Sequence, residues 1–393
     1  MSDRSAVILA ARRTPIGAFQ GALAPLTAPQ LGSAAMKAAI ASARIAPADL
    51  EEVIMGCVLS AGLGQAPARQ AALGAGVPPG TPATTLNKMC GSALKAVMAA
   101  ADQIRCGDVG LALAGGLESM TNAPYLLPKA RGGYRMGHGE ILDHMFYDGL
   151  QSPFDGKLMG CFADATAQRY EFTRAAQDAF AAESVRRAMS ALGAGEFDAE
   201  VTPVTVKSRK GESVVARDET PSTCDIAKIP SLKPAFGKEG TVTAASSSSI
   251  ADGAAAVVLA AESVARSRGL APLARIAGYA SHAHEPEWFT TAPAGAIRRT
   301  LERVGWSASE VDLYEINEAF AAVTMAAVKD LALDPARVNV NGGACALGHP
   351  IGASGARILT TLIHALRRRG LRRGIASLCI GGGEAVAVAI ETL

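Results

Sequence analysis

The order of apolar runs that fills residues 6–119 returns after residue 270, and this repetition limits the chain to a duplicated architecture. In the first pass, strand-like "AVILAA" leads to the helical pattern "LGSAAMKAAIASA". "VIMGCVLS", "ARQAALGA" and "ATTLN" then read as strand, helix and strand, before the helix "GSALKAVMAAADQI" and the strand "GLALAGG". In that helix Leu94, Val97, Met98, Ala101 and Ile104 recur at the spacing of one face. The second pass runs "ARIAGYA", "GAIRRTLERV", "VDLYEI", "AFAAVTMAAVKDLAL", "RVNVN", "ARILTTLIHALRR" and "ASLCIGGG" in the same alternation. "LALAGGLE" (111–118) and "LCIGGGEA" (378–385) each put paired glycines after an apolar strand, and "AAAVVLAA" and "AVAVAIE" close the two copies. Repeated alternation of strands and helices predicts an α/β fold built of two similar α/β domains packed on each other.

Residues 121–248 break that rhythm. They hold glycine, proline and charge ("PKARGGYRMGHGE", "RKGESVVARDETPS"), with one helix expected near "RAAQDAFAAESVRRAMSAL". The last strand of the first copy lies beyond them, so the expected organisation is an N-terminal domain of 1–120 plus 249–270, an inserted loop domain over 121–248, and a C-terminal domain over 271–393. A long insertion suits a lid or a binding surface.

Composition narrows the function classes. With 49% hydrophobic and 19% charged residues over 393 positions, the chain has core material for more than one domain and is poorly suited to disorder. Net charge is near +2 and no block of like charge exceeds "RRR" at Arg367–Arg369, which argues against nucleic acid as partner. No run reads as a signal peptide or a membrane span, and "ETL" is not a peroxisomal address, so a cytoplasmic location is expected. Seven cysteines, an odd number without a C-x-x-C pair, fit a reduced protein with no structural zinc. A special cysteine would then be there for its thiol.

Four stretches carry side chains that could do chemistry. Cys90 in "NKMCGSALKA" follows a strand and precedes a helix, where unpaired N–H groups and the positive helix end are expected to lower a thiol pKa from about 8.5 toward 7. A buried cysteine beside a helix start is the ordinary alternative. His349, between Gly348 and Pro350, is the one basic side chain in the glycine-lined loop "NVNGGACALGHPIGAS", which lacks the G-x-G-x-x-G spacing of a dinucleotide loop. Cys379 ends a strand before Gly381, Gly382 and Gly383, where a substrate can reach backbone N–H groups directly; a strand cysteine beside a tight turn is the alternative. Asn317 in "EINEAFAAV" either orients a water or a carbonyl, or caps a helix.

Together these stretches resemble the thiolase family over essentially the whole chain. "NKMCGSALKA" is similar to its nucleophile segment, "NEAFA" to its asparagine motif, "NGGACALGHPIGASGAR" to its histidine motif and "LCIGGG" to its second-cysteine motif. "KPAFGKEGTVTA" and "ADGAAAVVL" also look like family segments. The resemblance implies a layered αβαβα fold, assembly as a homotetramer or homodimer, and coenzyme A thioesters as substrates, with no metal or organic cofactor. The implied reaction joins two acetyl-CoA into acetoacetyl-CoA plus CoA, and runs in reverse as thiolysis; breakdown of longer 3-ketoacyl-CoA is the alternative.

The resemblance implies that Cys90 takes the acyl group and that His349 accepts its proton. His349, with a water held by Asn317, would line one oxyanion pocket, and the N–H groups of Cys90 and Gly381 the other. Cys379 would move the α-proton of the second acetyl-CoA. Ser248 and Phe236 would lie along the pantetheine arm, and Leu150, Met159, Ala319 and Phe320 near the acyl pocket. Departures from the family pattern are Ala93 after "CGS", Leu158 for a histidine, Ser246–Ser248 for "GNAS", and Ser222 where some members carry an arginine on the adenine. Lys207, Arg209, Lys210, Lys228 and Lys233 are the candidates for the CoA phosphates.

Overall fold

The computed structural model describes residues 5–208 and 211–393. Nine strands form its main sheet: β1 (Ala6–Arg13), β2 (Glu52–Gly56), β3 (Ala83–Leu86), β4 (Leu111–Ser119), β5 (Ala251–Ala261), β6 (Ala274–Ala283), β7 (Leu313–Ile316), β8 (Arg373–Ile380) and β9 (Glu384–Thr392), with Gly17–Ala18 added at the side of β5. Their spatial order is β7-β8-β9-β6-β1-β5-β4-β2-β3. The repetition in the sequence is visible in this order. On the N-terminal side β3, β2 and β4 run parallel and β5 and β1 follow antiparallel. On the C-terminal side β7 and β8 run parallel, and β9 and β6 follow antiparallel. The halves meet where Val7 and Ile8 of β1 pair with Arg275 and Ala274 of β6.

Side chains alternate across each strand, and this period divides the core into layers. Val7 and Leu9 of β1 join Leu31, Ala35 and Met36 of helix α1 (Ala28–Ala43) and Ala68, Ala71 and Ala72 of α2 (Pro67–Gly74). Ala6 and Ile8 face the other way, into a cluster shared with α3 (Ser92–Cys106). The predicted face of α3 lies there, with Leu94, Val97, Met98, Ala101 and Ile104 all buried. The long helix after the histidine loop, Ser354–Arg368, packs into the same cluster through Ile358, Leu359, Leu362 and Ile363, and strands of both halves line it. A Cβ added at Gly355 would sit 2.4 Å from the Leu94 nitrogen, so these two central helices touch backbone to backbone. On the far side, Ile297 and Leu301 of Ala292–Val304 cover Tyr314, Ile316 and Ile375. The layers therefore read α, β, α, β, α.

Two elements differ from the sequence expectation. "RVNVN" is not a strand: only Val338 makes a lone parallel bridge, to Tyr314. Asn339 adopts a left-handed backbone (φ 48°), and its side-chain amide replaces the ladder. Its Oδ1 accepts from Ile316 N and its Nδ2 donates to Ile316 O, both at 2.8 Å. Residues 121–248 also carry a helix at Met159–Tyr170 beside the expected one at Arg174–Gly193. Among the described residues no helix is long and apolar enough to cross a membrane, and no group of three or more metal-ligating side chains occurs.

Candidate active site

Cys90 sits on a tight elbow between β3 and α3. Met89 takes a left-handed backbone (φ 47°), Gly91 N donates to Lys88 O at 3.1 Å, and the Ser92 hydroxyl closes the turn by accepting from Lys88 N at 2.8 Å. A side chain at Gly91 would collide with Ile380 Cδ1 at 2.4 Å, so the elbow lies directly against the end of β8. That approach brings the N–H of Gly381 to the Cys90 sulfur, which also receives the N–H of Cys90 itself. Gly381 opens a turn in which Gly382 and Gly383 have φ of 96° and 91°. A Cβ at Gly383 would lie 2.3 Å from His284 O, so glycine is required there twice over.

The expected lowering of the thiol pKa is corrected by this geometry. Burial pushes Cys90 up to about 11, and the Glu118 carboxylate adds to the rise, against the two N–H groups that favour the thiolate. Desolvation outweighs the helix end because the charge would have to form away from water. Cys379 is also pushed well up, first by burial and then by the charge on Cys90, so the two sulfurs sense each other across the halves. Cys379 is fully buried among Phe289, Ala319, Phe320 and Val323. It shares strand parity with Ile375 and so faces away from the central helices.

His349 is held in its loop by its own N–H, which donates to Ser249 O at 2.9 Å. The Ser354 hydroxyl donates to Pro350 O at 2.9 Å, which leaves its oxygen to accept from His349 Nδ1 at 2.5 Å. That assignment puts the ring proton on Nδ1 and a lone pair on Nε2. Nε2 has no partner among the described residues, and burial, aided by the charge on Arg357, lowers the ring pKa to about 3. The resting pair is thus a neutral thiol and a neutral imidazole. Asn317 is buried, its Nδ2 lies 3.5 Å from His349 Nδ1, and its Oδ1 is also unpartnered. It is not a helix cap, since the next helix, Ala321–Leu331, starts from Phe320.

His349 opens onto a cavity of about 180 Å³, whose lining does not include Cys90, Cys379, Asn317 or Gly381. His349, Ser248, Phe236, Leu150, Met159 and Phe320 all line it. Cys90 packs in one apolar cluster with the lining residues Leu150, Ile250, Ile351 and Met120, and Cys379 in another with Met159, Phe236 and Phe320. The Phe236 and Phe320 rings meet edge to face at 5.9 Å. Ala319 stands behind the lining, its carbonyl accepting from Ser248 N at 2.9 Å. Ser222 and the lysines proposed for the phosphates do not line the cavity. Lys207 pairs with Glu212 and Lys228 with Asp225, Lys233 is exposed, and Arg209 and Lys210 lie outside the described residues.

Residues 6–263 match the family description "Thiolase, N-terminal domain", and residues 270–392 match "Thiolase, C-terminal domain". The chain is a thiolase. It is 50% identical to an acetyl-CoA acetyltransferase of Pseudomonas aeruginosa and 48% identical to one of Cupriavidus necator, in each case over 98% of both chains. The crystal structure of the Bacillus anthracis acetyl-CoA acetyltransferase superposes with a TM-score of 0.97 at 44% identity, covering 99% of each chain.

Sequence reasoning missed the groups that hold this thiolase's site together. Glu118 ends β4, and its carboxylate accepts from Val58 N (3.1 Å), Leu59 N (3.2 Å) and Gly352 N (2.8 Å). It thereby ties the loop after β2 to the loop that bears His349. Burial raises its pKa to about 7 in spite of those donors. An acidic residue inside the apolar "LALAGGLES" was the available signal. Because Cys90 is raised in the resting thiolase, its alkylation by iodoacetamide should climb about tenfold per pH unit from pH 6 to 9 without levelling. Peptide mass spectrometry reads the adduct; a plateau below pH 8 would mean the thiolate is already formed.

Proposed function

We propose that this thiolase is an acetyl-CoA C-acetyltransferase that joins two acetyl-CoA into acetoacetyl-CoA and CoA, and reverses the reaction by thiolysis. The observation that carries the reading is the Cys90 elbow packed directly against the end of β8, through Gly91 on Ile380, which sets Cys90 beside the strand end that bears Cys379 and Gly381. The names and identities of the full-length relatives support the acetyl specificity.

In the first half, Cys90 Sγ attacks the thioester carbon while its proton passes to His349 Nε2. Moving that proton before attack would be costly, since the thiol lies near 11 and the ring near 3. Transfer is therefore coupled to bond formation, when the oxyanion donors begin to act. The carbon–sulfur bond to CoA breaks, and His349 returns the proton to the leaving sulfur. An acylated Cys90 carries no charge, so it does not oppose ionisation of Cys379 as a Cys90 thiolate would. Cys379 gives up its proton to solvent as the second acetyl-CoA enters, its thiolate takes a methyl proton, the carbanion attacks the acyl carbon, and Cys90 departs as a thiolate that regains a proton from solvent.

Residues 121–248 are read as the loop domain that covers the substrate, with 1–120 plus 249–270 and 271–393 as the two thiolase domains. Its support is that β4 and β5, which flank it, pair side by side from Ser119–Asp252 to Leu111–Ala260. Exposed Tyr125, Met136, Ile141 and Phe154 in that segment support assembly as a homotetramer or homodimer, which light scattering would read and a monomer would contradict. The free cysteines suit a reducing compartment, and a cytoplasmic role in fatty acid metabolism is the proposed setting.

Thiolysis rates separate this reading from a broader 3-ketoacyl-CoA thiolase. The four-carbon substrate should exceed a ten-carbon one in kcat/KM by on the order of tenfold or more, as a cavity of about 180 Å³ lined by Met159 and Phe320 leaves little room for added methylenes. A flat or reversed profile would favour the broader enzyme.

A further inference from the structure

Cys90 and Gly381 come from opposite halves of the molecule, so something must fix their separation. Packing does part of this, through Ile380 against Gly91. A second contact crosses the same seam. Lys88 Nζ lies 2.5 Å from Glu384 Oε2, with the two side chains 24% and 36% exposed. Lys88 is on the elbow itself, where its backbone N–H and carbonyl close the turn that carries Cys90. Glu384 is the first residue of β9, immediately after the triple glycine, and pairs with Ile380 on one side and Ala283 on the other.

We propose that the Lys88–Glu384 ion pair is a positioning strap that holds the nucleophile elbow and the glycine turn at the spacing the shared oxyanion pocket needs. The three glycines supply N–H groups at close range but leave the turn without side chains of its own. Glu384 is the nearest side chain after them that can be held from outside. A pair this exposed contributes little to global stability. Its value lies in geometry, where a displacement on the order of 1 Å at a reacting group costs about a hundredfold in rate. Neither side chain touches the reacting atoms, so both act through the backbone they anchor.

The inference rests on Cys90 as nucleophile and Gly381 as oxyanion donor, and the experiment separates the two. Lys88→Met, Glu384→Gln, the double variant and the reversal Lys88→Glu with Glu384→Lys are assayed in thiolysis of acetoacetyl-CoA. Each single change should lower kcat about tenfold with KM for the acyl-CoA held within about twofold, in the range of coupling between contacting residues. The double variant should be no slower than the worse single one, and the reversal should recover most of the loss. Added salt, about 0.5 M, should slow the parent enzyme and leave the double variant unaffected, because a partly exposed pair is screened.

Wild-type kcat in both single variants would overturn the proposal. So would additive losses without rescue by reversal, or losses that track the melting temperature alone. In every variant the acetyl adduct should still map to Cys90; an adduct elsewhere would instead overturn the underlying reading of the nucleophile.

Discussion

Cys90→Ser is expected to leave no acetyl adduct after incubation with acetyl-CoA and to lower thiolysis of acetoacetyl-CoA by on the order of 10⁴-fold or more. Serine keeps the size and the turn, including the hydrogen bonds of Gly91 and Ser92 around the elbow. It loses the polarisable nucleophile and nearly isoenergetic exchange of one thioester for another. The site as folded cannot compensate, since burial already pushes the thiol to about 11 and would hold an alkoxide far higher. Intact-mass measurement shows whether one acetyl group is added to the parent protein, and peptide mapping shows where. An adduct of normal yield on Cys90→Ser, or one on Cys379 in the parent, would defeat the assignment.

Cys379→Ala tests the other half of the chemistry and should separate the two steps cleanly. Acylation of Cys90 needs the Gly381 N–H and His349 and should survive. Condensation needs a base at the α-carbon and should fall about 10³-fold, within the range that a positioned acid–base group contributes. Cys379 is fully buried among Phe289, Phe320 and Val323, apolar side chains that cannot replace it as a base. The variant should therefore accumulate as acetyl-enzyme and release about one CoA per site. It should also fail to exchange methyl hydrogens of acetyl-CoA with deuterated water. Normal condensation by this variant would remove Cys379 from the mechanism.

The sequence by itself determined the duplicated architecture, because alternation of apolar residues and paired glycines after strands are local signals. It also carried the four chemical stretches, since each is a short run whose residue types constrain the backbone directly. The glycine turn at 381–383 is an example: Gly382 and Gly383 have positive φ, and Gly383 also approaches the His284 carbonyl too closely for a side chain. Tertiary structure alone decided the charge state of the site. The local setting of Cys90, before a helix, argued for an acidic thiol, and burial among side chains distant in sequence reversed it. The tautomer of His349 depends on a serine five residues on, and the pairing of Glu118 with Gly352 spans 234 positions. The strand expected at "RVNVN" failed for a related reason, as an asparagine side chain supplied hydrogen bonds that the pattern assigned to backbone. Desolvation and contacts between distant segments depend on what the rest of the chain brings alongside, and no window along one sequence contains that information.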